Sequence, residues 1–220
     1  MQKITSSEVR YVFETLFNTY GPQGWWPAFT PFEVAVGAIL VQNTMWRNVK
    51  ISIKNLEKLG LLEPYRMYVA SNEEIAKAIK PSGFPRLKAE RLRNFLQFFN
   101  EFSFDFKELE KLDTPSLRKA LLKVNGIGKE TADSLLLYIF KRPVLILDTY
   151  TKRFFSRLFS QSAFKSFKEE TIVKTFKDAE ELGEFHALIV QHSKAHCRSK
   201  PLCEGCPLRN VCEIGSEYRD

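Results

Sequence analysis

The segment Gly126-Ile127-Gly128-Lys129 carries residue types that can bind a phosphate group. Two glycines one residue apart permit a tight turn, and without side chains the backbone can approach a ligand closely. The helix predicted to follow would present unpaired N–H groups and the positive end of its dipole at the same place. An ordinary turn between two helices would use the same residues, and the segment alone fits that simpler interpretation better.

An isolated carboxylate, Asp148, follows further along the chain, between the apolar run from Val144 to Leu147 and a basic segment. A carboxylate at the start of a helix can be an N-cap. In a dry pocket, a fixed anion can also stabilise positive charge on a sugar and orient or deprotonate water. The local sequence leaves both interpretations open. No histidine stands at the spacing of a metal-ligand or triad partner, so we expect structural or solvent-facing roles for His186, His192 and His196.

All four cysteines of the chain lie near its C-terminal end, at Cys197, Cys203, Cys206 and Cys212. Only the middle pair has the C-x2-C spacing, whereas structural zinc modules usually offer two such pairs. Four thiolates also suit a four-iron, four-sulfur cluster. We therefore expect a 4Fe-4S cluster, with zinc as the alternative and a pair of disulfides as a less favoured third.

The composition is that of a globular protein with a cationic excess. The 220 residues are 44% hydrophobic and 27% charged, which disfavours disorder and fibrous repeats. Lys and Arg number 33 against 26 Asp and Glu, and the net charge of +7 favours a nucleic acid, with an anionic membrane surface as the rival partner. The N-terminal segment lacks the apolar stretch of a signal peptide, and no run approaches the roughly 18 apolar residues of a membrane span. We expect a soluble, unexported protein.

The hydrophobic spacing is helical along nearly the whole chain and predicts an all-α fold. A stretch rich in Gly and Pro, from Tyr20 to Pro31, separates a first helix from the others. Further helices are predicted over about 32–41, 43–59, 71–80, 85–102 and 114–124, the last with Thr114 as its N-cap and Pro115 at its first position. No pair of strands with a turn signal is present.

Taken in order, these segments resemble the helix-hairpin-helix, endonuclease III-like DNA glycosylase superfamily. The stretch 126–132 followed by Leu147-Asp148-Thr149 is similar to the hairpin and catalytic aspartate of that family. Residues 39–44 resemble its Leu-x-Gln segment, and residues 83–89 resemble its Gly-aromatic-x-x-x-Lys-Ala loop. The ordered match runs from about residue 30 to residue 212, and the combination is far more specific than any single piece.

The resemblance implies two helical subdomains. One is a helical barrel over residues 28–142 that ends in the hairpin. The other is a discontinuous bundle of residues 1–27 and 143–220, which carries Asp148 and the iron–sulfur loop over 197–212. DNA is expected to lie across the groove between them. The implied partner is double-stranded DNA containing a damaged base, bound by a monomer, without a membrane.

The resemblance also assigns roles to individual residues. Asp148 is the catalytic carboxylate, Gln42 fills the space left by a flipped base, and Phe84 wedges beside the opposite base. A helix-end cap for Gln42 and a core position for Phe84 are the simpler alternatives. The full expected DNA-binding set is Gln42, Phe84, Lys88, Gly126, Gly128, Lys129, Thr131 and Arg153. The cysteine loop is implied to be structural and to help contact DNA, although it has five residues between its first two cysteines where the family usually has six.

Glu130 occupies the position of the lysine with which bifunctional members of the family cleave the DNA strand. That lysine forms a Schiff base, and a carboxylate cannot form the imine. Lys129 is adjacent but points about 100° away around a helix. We therefore expect a monofunctional glycosylase.

Two aromatic segments point to a subfamily. Residues 24–27 (Gly-Trp-Trp-Pro) and 42–46 (Gln-Asn-Thr-Met-Trp) resemble the 3-methyladenine DNA glycosylase III group, which also has Gly-x-Gly-Lys-Glu at the hairpin. An indole face attracts a cationic, N-alkylated purine. That group lacks the four-cysteine loop, and Tyr150 replaces a histidine common after the family's Asp-Thr. The expected lesion pocket is Trp25, Trp26, Trp46, Glu130 and Tyr150, although the indoles could instead fill an interface between subdomains.

The function expected is excision of damaged bases, with alkylated purines such as 3-methyladenine as the substrates. Two alternatives remain. One is an endonuclease III-type enzyme for oxidised pyrimidines or a mismatch glycosylase. The other is a hairpin DNA-binding protein without catalysis, whose aspartate is only a helix cap. A cytoplasmic location, associated with the nucleoid in a prokaryote, is expected for a protein with this function.

Overall fold

The structure, a computed structural model, describes residues 4–159 and 161–217, and these ranges contain helices and turns but no β-strand. The predicted all-α fold is confirmed. None of the helices in these ranges has the length and apolar character needed to cross a bilayer. In chain order they are α1 (Ser6–Tyr20), α2 (Pro31–Leu40), α3 (Trp46–Lys58), α4 (Pro64–Val69), α5 (Asn72–Ala78), α6 (Pro85–Asn100), α7 (Phe106–Glu110), α8 (Thr114–Lys123), α9 (Lys129–Tyr138), α10 (Thr149–Leu158), α11 (Gln161–Ser166), α12 (Glu169–Val173), α13 (Ala179–Ala195) and α14 (Glu213–Glu217), with a 3-10 turn at Lys80–Ser82.

The chain divides into two compact units. The terminal unit consists of Met1–Trp25 and Lys141–Asp220, and the central unit is Trp26–Phe140. The terminal unit therefore contains α1 and α10 to α14, and the central unit contains α2 to α9. Asp148 and the cysteines belong to the terminal unit, whereas the glycine hairpin belongs to the central one.

Helix α2 forms the core of the central unit. Thr30 caps its start by accepting a hydrogen bond from the Glu33 N–H at 3.1 Å, and Pro31 occupies the first turn, where no N–H is needed. The rest of the helix is apolar on all sides and almost wholly buried, since it packs against α3, α6 and α9. Gln42 lies two residues beyond the C-terminal end of α2.

Three helix boundaries differ from the sequence prediction. The amphipathic helix begins at Trp46 rather than Asn43, because Asn43 has φ +54° and interrupts the helical path. Helix α6 ends at Asn100, and Ser103 soon afterwards takes φ +53°. The N-cap of α8 is Asp113, not Thr114, because the Asp113 carboxylate accepts from the Ser116 N–H at 2.7 Å.

The terminal unit is built around α13, which packs against α1 and α10. Thr5 and Glu8 form a reciprocal capping box at the start of α1. Arg10 on α1 then pairs with Glu181 on α13 at 2.7 Å, so the N-terminal helix is tied to the C-terminal part of the chain. Aromatic side chains fill the space around these helices, among them Phe13, Phe155, Phe176 and Phe185.

Candidate functional site

Asp148 lies at the start of α10 as its N-cap. Its Oδ1 accepts a hydrogen bond from the Thr151 N–H at 2.7 Å, and its Oδ2 is 3.5 Å from Nε2 of His186. The side chain is 21% exposed, so it is mostly buried but not sealed from solvent. The cap and the catalytic interpretations of Asp148 are therefore compatible, since Oδ1 serves the helix while Oδ2 faces the histidine.

The surroundings of Asp148 keep it ionised. Burial would raise its pKa, but the His186 imidazole and the Thr151 N–H lower it, and the net result is a pKa below the usual range. The positive end of α10 acts in the same direction. Asp148 is thus a partly buried anion with a fixed orientation, which can stabilise a cationic transition state.

His186 was not predicted as a site residue. It is 7% exposed, lies on α13, and contacts Asp148 from a distant part of the sequence. The edge of the Trp25 ring system also packs on it, with ring centroids 5.9 Å apart and an interplanar angle of 77°. The available sequence signal was a pair of polar residues, His186 and Lys194, about two helical turns apart on one face of a largely apolar helix.

Trp25 is held in place by its own loop. The Glu184 carboxylate on α13 accepts hydrogen bonds from the N–H groups of Gln23 at 2.5 Å and Gly24 at 3.2 Å. Nζ of Lys194 lies 5.9 Å from the centroid of the Trp25 ring. Burial lowers the pKa of Lys194, and the charge of Asp148 partly offsets that effect. We call Asp148, His186, Trp25 and Lys194 the Asp148 cluster.

The glycine hairpin of the central unit uses its two glycines differently. Gly126 has φ +96°, and a Cβ there would lie 2.3 Å from Cγ of Arg91, so the turn requires glycine at this position. Gly128 is the N-cap of α9, and a Cβ there would meet open space. Lys129 and Glu130 follow as exposed residues of the first turn. The open approach to Gly128 leaves the N–H groups at the start of α9 accessible to an anion.

Gln42 is bound to the hairpin. Its Nε2 donates to the Gly126 carbonyl at 3.1 Å and to the Thr131 hydroxyl at 2.9 Å, while its Oε1 accepts from Arg91. Thr131 is predicted to bind DNA, and its hydroxyl is not available for that role in this conformation, because it is buried on Gln42. The first-turn N–H of Thr131 is the group that remains suited to a phosphate.

Phe84 is an exposed aromatic residue in a strained backbone conformation. It caps α6 with φ +48° and ψ +50°, and its side chain is 65% exposed. The left-handed region costs a non-glycine residue about 1–2 kcal/mol. The core alternative for Phe84 is therefore wrong, and strain combined with exposure is characteristic of a functional position.

Lys88 is not available to DNA in this structure. The side chain is 1% exposed, and its Nζ donates to the carbonyl oxygens of Leu40 at 2.7 Å and Ser82 at 2.6 Å. The prediction that Lys88 binds DNA directly is corrected by this burial. Desolvation, aided by the charge of Arg91, lowers the pKa of Lys88 to about 8.

Trp26 and Trp46 do not form two walls of one slot. Their rings meet edge to face at 5.3 Å and 88°, and Trp26 meets Tyr138 in a similar way at 5.3 Å and 66°. A base stacked between two rings needs them about 7 Å apart, twice the usual ~3.5 Å contact distance. Gly37 completes this packing, since a Cβ there would lie 3.0 Å from Nε1 of Trp26. The two rings therefore cannot both stack on one base in this arrangement, and a place for Trp26 or Trp46 in the lesion pocket stays a prediction.

Tyr150 and Arg153 link the start of α10 to the cysteine segment. The Arg153 guanidinium lies 5.2 Å from the centroid of the half-buried Tyr150 ring, and its Nε donates to the Cys197 carbonyl at 2.8 Å. Arg157, one turn further along α10, donates to the carbonyls of Arg198 at 2.5 Å and Ser199 at 2.8 Å. The helix that begins at Asp148 is thus fixed to the segment that carries the cysteines.

The four cysteines are not joined in disulfides, and all of them line one cavity in the terminal unit. Burial raises the pKa of the Cys206 and Cys212 thiols, and the neighbouring cysteines raise it further. Within the described ranges, no group of three or more His, Cys, Asp or Glu side chains is arranged to hold a metal ion. Four thiols around one cavity nevertheless have the donor chemistry of a cluster that distributes its thiolate ligands over several irons.

Comparison with known proteins places these features in a family. Residues 36–178 match the family described as HhH-GPD superfamily base excision DNA repair protein. A protein of Methanocaldococcus jannaschii, provisionally named a DNA repair glycosylase, is 44% identical over 206 residues, which cover 91% of this chain and 94% of that protein. Endonuclease III of Sulfolobus acidocaldarius is 30% identical over 185 residues, which cover 83% of this chain and 81% of the enzyme.

One solved structure combines overall similarity with a bound base. The crystal structure of the H. pylori 3-methyladenine DNA glycosylase bound to 1,N6-ethenoadenine has a TM-score of 0.72 at 27% identity, and the likeness covers 87% of this chain and 98% of that one. The family match contains the hairpin and Asp148, whereas His186 and the four cysteines lie beyond its end.

Proposed function

We propose a catalytic role for Asp148 from the premise that the chain belongs to the HhH-GPD superfamily of base excision DNA repair proteins. Asp148 is the carboxylate with which this DNA glycosylase hydrolyses the N-glycosidic bond of a damaged nucleotide. The observation that carries the proposal is the state of Asp148. It is an anion with a lowered pKa, held by the Thr151 N–H and His186, and it is not sealed from solvent.

The chemistry follows from that state. As the base leaves, positive charge develops on the deoxyribose, and a carboxylate fixed beside it stabilises the transition state. The same carboxylate can orient or deprotonate the attacking water. Because Oδ1 is used by the helix cap, Oδ2 is the oxygen we assign to the reaction, with His186 holding it in place.

The central unit supplies features suited to holding DNA. The accessible N–H groups after Gly128 and the exposed Lys129 suit a backbone phosphate. Phe84 suits insertion beside the base left behind, because an exposed ring in a fixed, strained turn can enter a stack without first being uncovered. Gln42 has to release its contacts with the hairpin before it can enter the duplex.

Alkylated purines are the substrates we propose. The H. pylori relative is a 3-methyladenine DNA glycosylase, and the likeness spans most of both chains. Within the Asp148 cluster, Trp25 contacts His186, which in turn faces Asp148, and an indole ring attracts an electron-poor or cationic base. An alkylated purine is already activated as a leaving group, so it needs no strong general acid.

A second candidate is an endonuclease III-type activity on oxidised pyrimidines. The observations that favour it are the endonuclease III of Sulfolobus acidocaldarius at 30% identity and the four cysteines around one cavity. Glu130 argues against the strand-cleaving part of that activity, since the exposed first turn of α9 presents a carboxylate where an amine would be needed. We therefore propose a monofunctional enzyme.

A 4Fe-4S cluster held by Cys197, Cys203, Cys206 and Cys212 is part of the proposal, and zinc is the alternative occupant. When bound, the cluster would supply structural cross-linking of the segment through four thiolates. Arg153 and Arg157 connect that segment to α10, whose first residue follows Asp148. The cysteine segment would in this way stabilise the position of the catalytic carboxylate.

The test is base release from a panel of synthetic duplexes, each with one alkylated purine, one oxidised pyrimidine or one mismatch. Alkali after the reaction cleaves the strand wherever a base has been lost. We expect alkali-dependent cleavage with alkylated purines, and no cleavage without alkali. Release only of oxidised pyrimidines would favour the second candidate, and binding without release from any duplex would favour a non-catalytic protein.

Strand cleavage is tested separately by borohydride trapping on abasic DNA. The wild-type protein should give no covalent adduct, because position 130 lacks an amine. Glu130→Lys should gain an adduct, since its amine can attack C1′ of the open sugar and lose water to form a reducible imine. An adduct with the wild-type protein would overturn the monofunctional assignment.

A further inference from the structure

Lys88 is a buried cation to which the proposed reaction gives no role. It lies on α6 with 1% of its surface exposed. The two hydrogen-bond acceptors of its Nζ are neutral carbonyl oxygens, and among the residues that the structure describes no carboxylate is paired with it. Burying an ammonium group without a counter-ion is costly, and an apolar side chain would fill the same volume at lower cost. The charge therefore calls for an explanation other than packing.

The two carbonyls belong to two segments that carry proposed DNA-contacting side chains. Leu40 is the last residue of α2 and lies two positions before Gln42. Ser82 lies two positions before Phe84, at the end of the 3-10 turn. A single Nζ thus joins the end of α2 to the strained turn at 2.7 Å and 2.6 Å. The Arg91 guanidinium on α6, which donates to Gln42, is a further contact between the Gln42 segment and the helix that follows the Phe84 turn, but it acts on a side chain and not on the backbone.

We propose that Lys88 is a positioning residue, whose head group ties the Gln42 segment to the Phe84 turn so that both side chains reach the duplex at a fixed separation. This inference rests on the proposed function, since it takes Gln42 and Phe84 as the residues that replace a flipped nucleotide. It replaces the expectation that Lys88 itself binds DNA, which its burial contradicts for a direct contact.

Lysine suits this position better than a neutral donor. Its ammonium group offers three protons at the end of a long stem, and hydrogen bonds from a charged donor are stronger than neutral ones. Backbone carbonyls are present in every conformation of the two segments, so the contact constrains their paths and not only their side chains. The strained φ of Phe84 needs such a constraint, because the turn would otherwise relax.

The test compares Lys88→Met, which keeps the stem and removes the head group, with the matched control Lys129→Met on the exposed hairpin. Each variant is measured for affinity to two duplexes, one with an intact alkylated purine and one with a tetrahydrofuran abasic analogue, over a range of salt concentrations. The abasic analogue has no base to unstack, so a loss of affinity that appears only on the intact duplex reports the cost of opening the duplex. Neither measurement requires base release, so the inference can fail while the proposed function stands, or the reverse.

For Lys88→Met we expect a loss of about tenfold or more on the intact duplex, a loss within about twofold on the abasic analogue, and an unchanged salt dependence. For Lys129→Met we expect similar losses on both duplexes and a salt slope smaller by about one phosphate contact. A reduced salt slope for Lys88→Met, or equal losses on both duplexes, would overturn the proposal. If the Met variant does not fold, Lys88→Gln, which keeps a neutral donor, is measured by the same criteria.

Discussion

The two units of the molecule prepare their key residues in opposite ways. In the terminal unit, Asp148 is mostly buried and is held by an N–H group and a histidine. Its charge and orientation are therefore set before any substrate binds. In the central unit, Phe84, Gly128 and Lys129 are exposed, and Phe84 stands in a strained conformation. In the function we propose, the chemistry at one unit depends on a fixed electrostatic environment, whereas DNA contact at the other depends on accessible groups in fixed turns.

This difference predicts separable defects. Substitutions in the Asp148 cluster should lower the rate of base release with little effect on affinity, and substitutions at the exposed turns should lower affinity or duplex opening with little effect on the chemical step. A substitution in the Asp148 cluster that mainly lowered affinity, or one at the exposed turns that mainly lowered the rate of the chemical step, would show that the comparison is wrong.

The largest effect is expected from Asp148→Asn. Asparagine remains a good N-cap, so α10 should stay intact while the negative charge is lost. We expect the single-turnover rate of base release to fall about 10³-fold with nearly unchanged affinity for lesion DNA. Asp113→Asn is the matched control, because Asp113 caps α8 with the same 2.7 Å contact to an N–H group. It should keep the wild-type rate; a comparable loss there would show that capping, not charge, explains Asp148.

Phe84 should give the next largest effect and separate strain from contact. Phe84→Ala removes the ring but keeps a side chain in the left-handed region, whereas Phe84→Gly removes both ring and strain. We expect each to reduce opening of the duplex about tenfold or more, measured by the fluorescence of 2-aminopurine next to the lesion. Only the Gly variant should unfold at a higher temperature, by the equivalent of about 1 kcal/mol. Wild-type duplex opening in both variants would remove Phe84 from the DNA-contacting set.

Lys88 should contribute to the pH dependence of the free energy of unfolding. Its pKa is lowered to about 8 in the folded protein from 10.5, so between these values the unfolded chain binds more protons and the free energy of unfolding rises with pH. After allowance for solvent screening, the rise attributable to Lys88 is about 1–2 kcal/mol between pH 8 and pH 10.5. Denaturation of the wild type and Lys88→Met at several pH values measures it as a difference. Parallel curves for the two proteins would mean that Lys88 is not buried as a lysine of lowered pKa.

The smallest effect is expected from His186→Gln, which removes the imidazole facing Asp148. The imidazole is the main influence that lowers the pKa of Asp148, so its loss should raise that pKa. Since the ionised carboxylate is the active form, the acid limb of the rate profile should move to higher pH. Lys194→Met, which removes a cation that interacts with the Asp148 charge, is the companion variant and should move the limb upward by less. If His186→Gln lowered the rate without shifting the acid limb of the pH–rate profile, the role of His186 would be packing alone.

The sequence predicted the class of the fold because helical spacing is a local property. Apolar residues recur at three- and four-residue intervals along α1, α2 and α6, and local caps mark several helix starts. Even so, the cap of α8 was assigned one residue late. Both Asp113 and Thr114 are competent caps, and which one is used depends on the hydrogen bond that forms in the folded helix.

The site was predictable only where a motif fixes a residue near a turn. Asp148, Gly126 and Phe84 occupy such positions, and the structure gives each a conformation suited to the role proposed for it. Lys88 lies in an equally recognisable motif, but burial is a tertiary property that no local pattern contains. His186 lies on α13, far along the chain from Asp148, and the two meet only because α13 packs against α10.

The surroundings of the tryptophans are another tertiary property that the local sequence does not predict. Trp25 and Trp26 are neighbours in the chain, yet Trp25 belongs to the terminal unit and Trp26 to the central one. Trp25 joins the Asp148 cluster, whereas Trp26 packs on Trp46 and Tyr138. Composition and spacing could not distinguish an indole that packs on His186 from one that packs on other aromatic rings.

The most direct test of the division between the two units is the identity and rate of the base released from methylated duplex DNA under single-turnover conditions. Mass spectrometry of the small-molecule fraction would follow the wild type, Asp148→Asn and Phe84→Gly at saturating protein. We expect free 3-methyladenine from the wild type, slower release from Phe84→Gly that depends on duplex opening, and almost none from Asp148→Asn although it binds the DNA. Release by Asp148→Asn at the wild-type rate would contradict the assignment of the chemistry to the terminal unit.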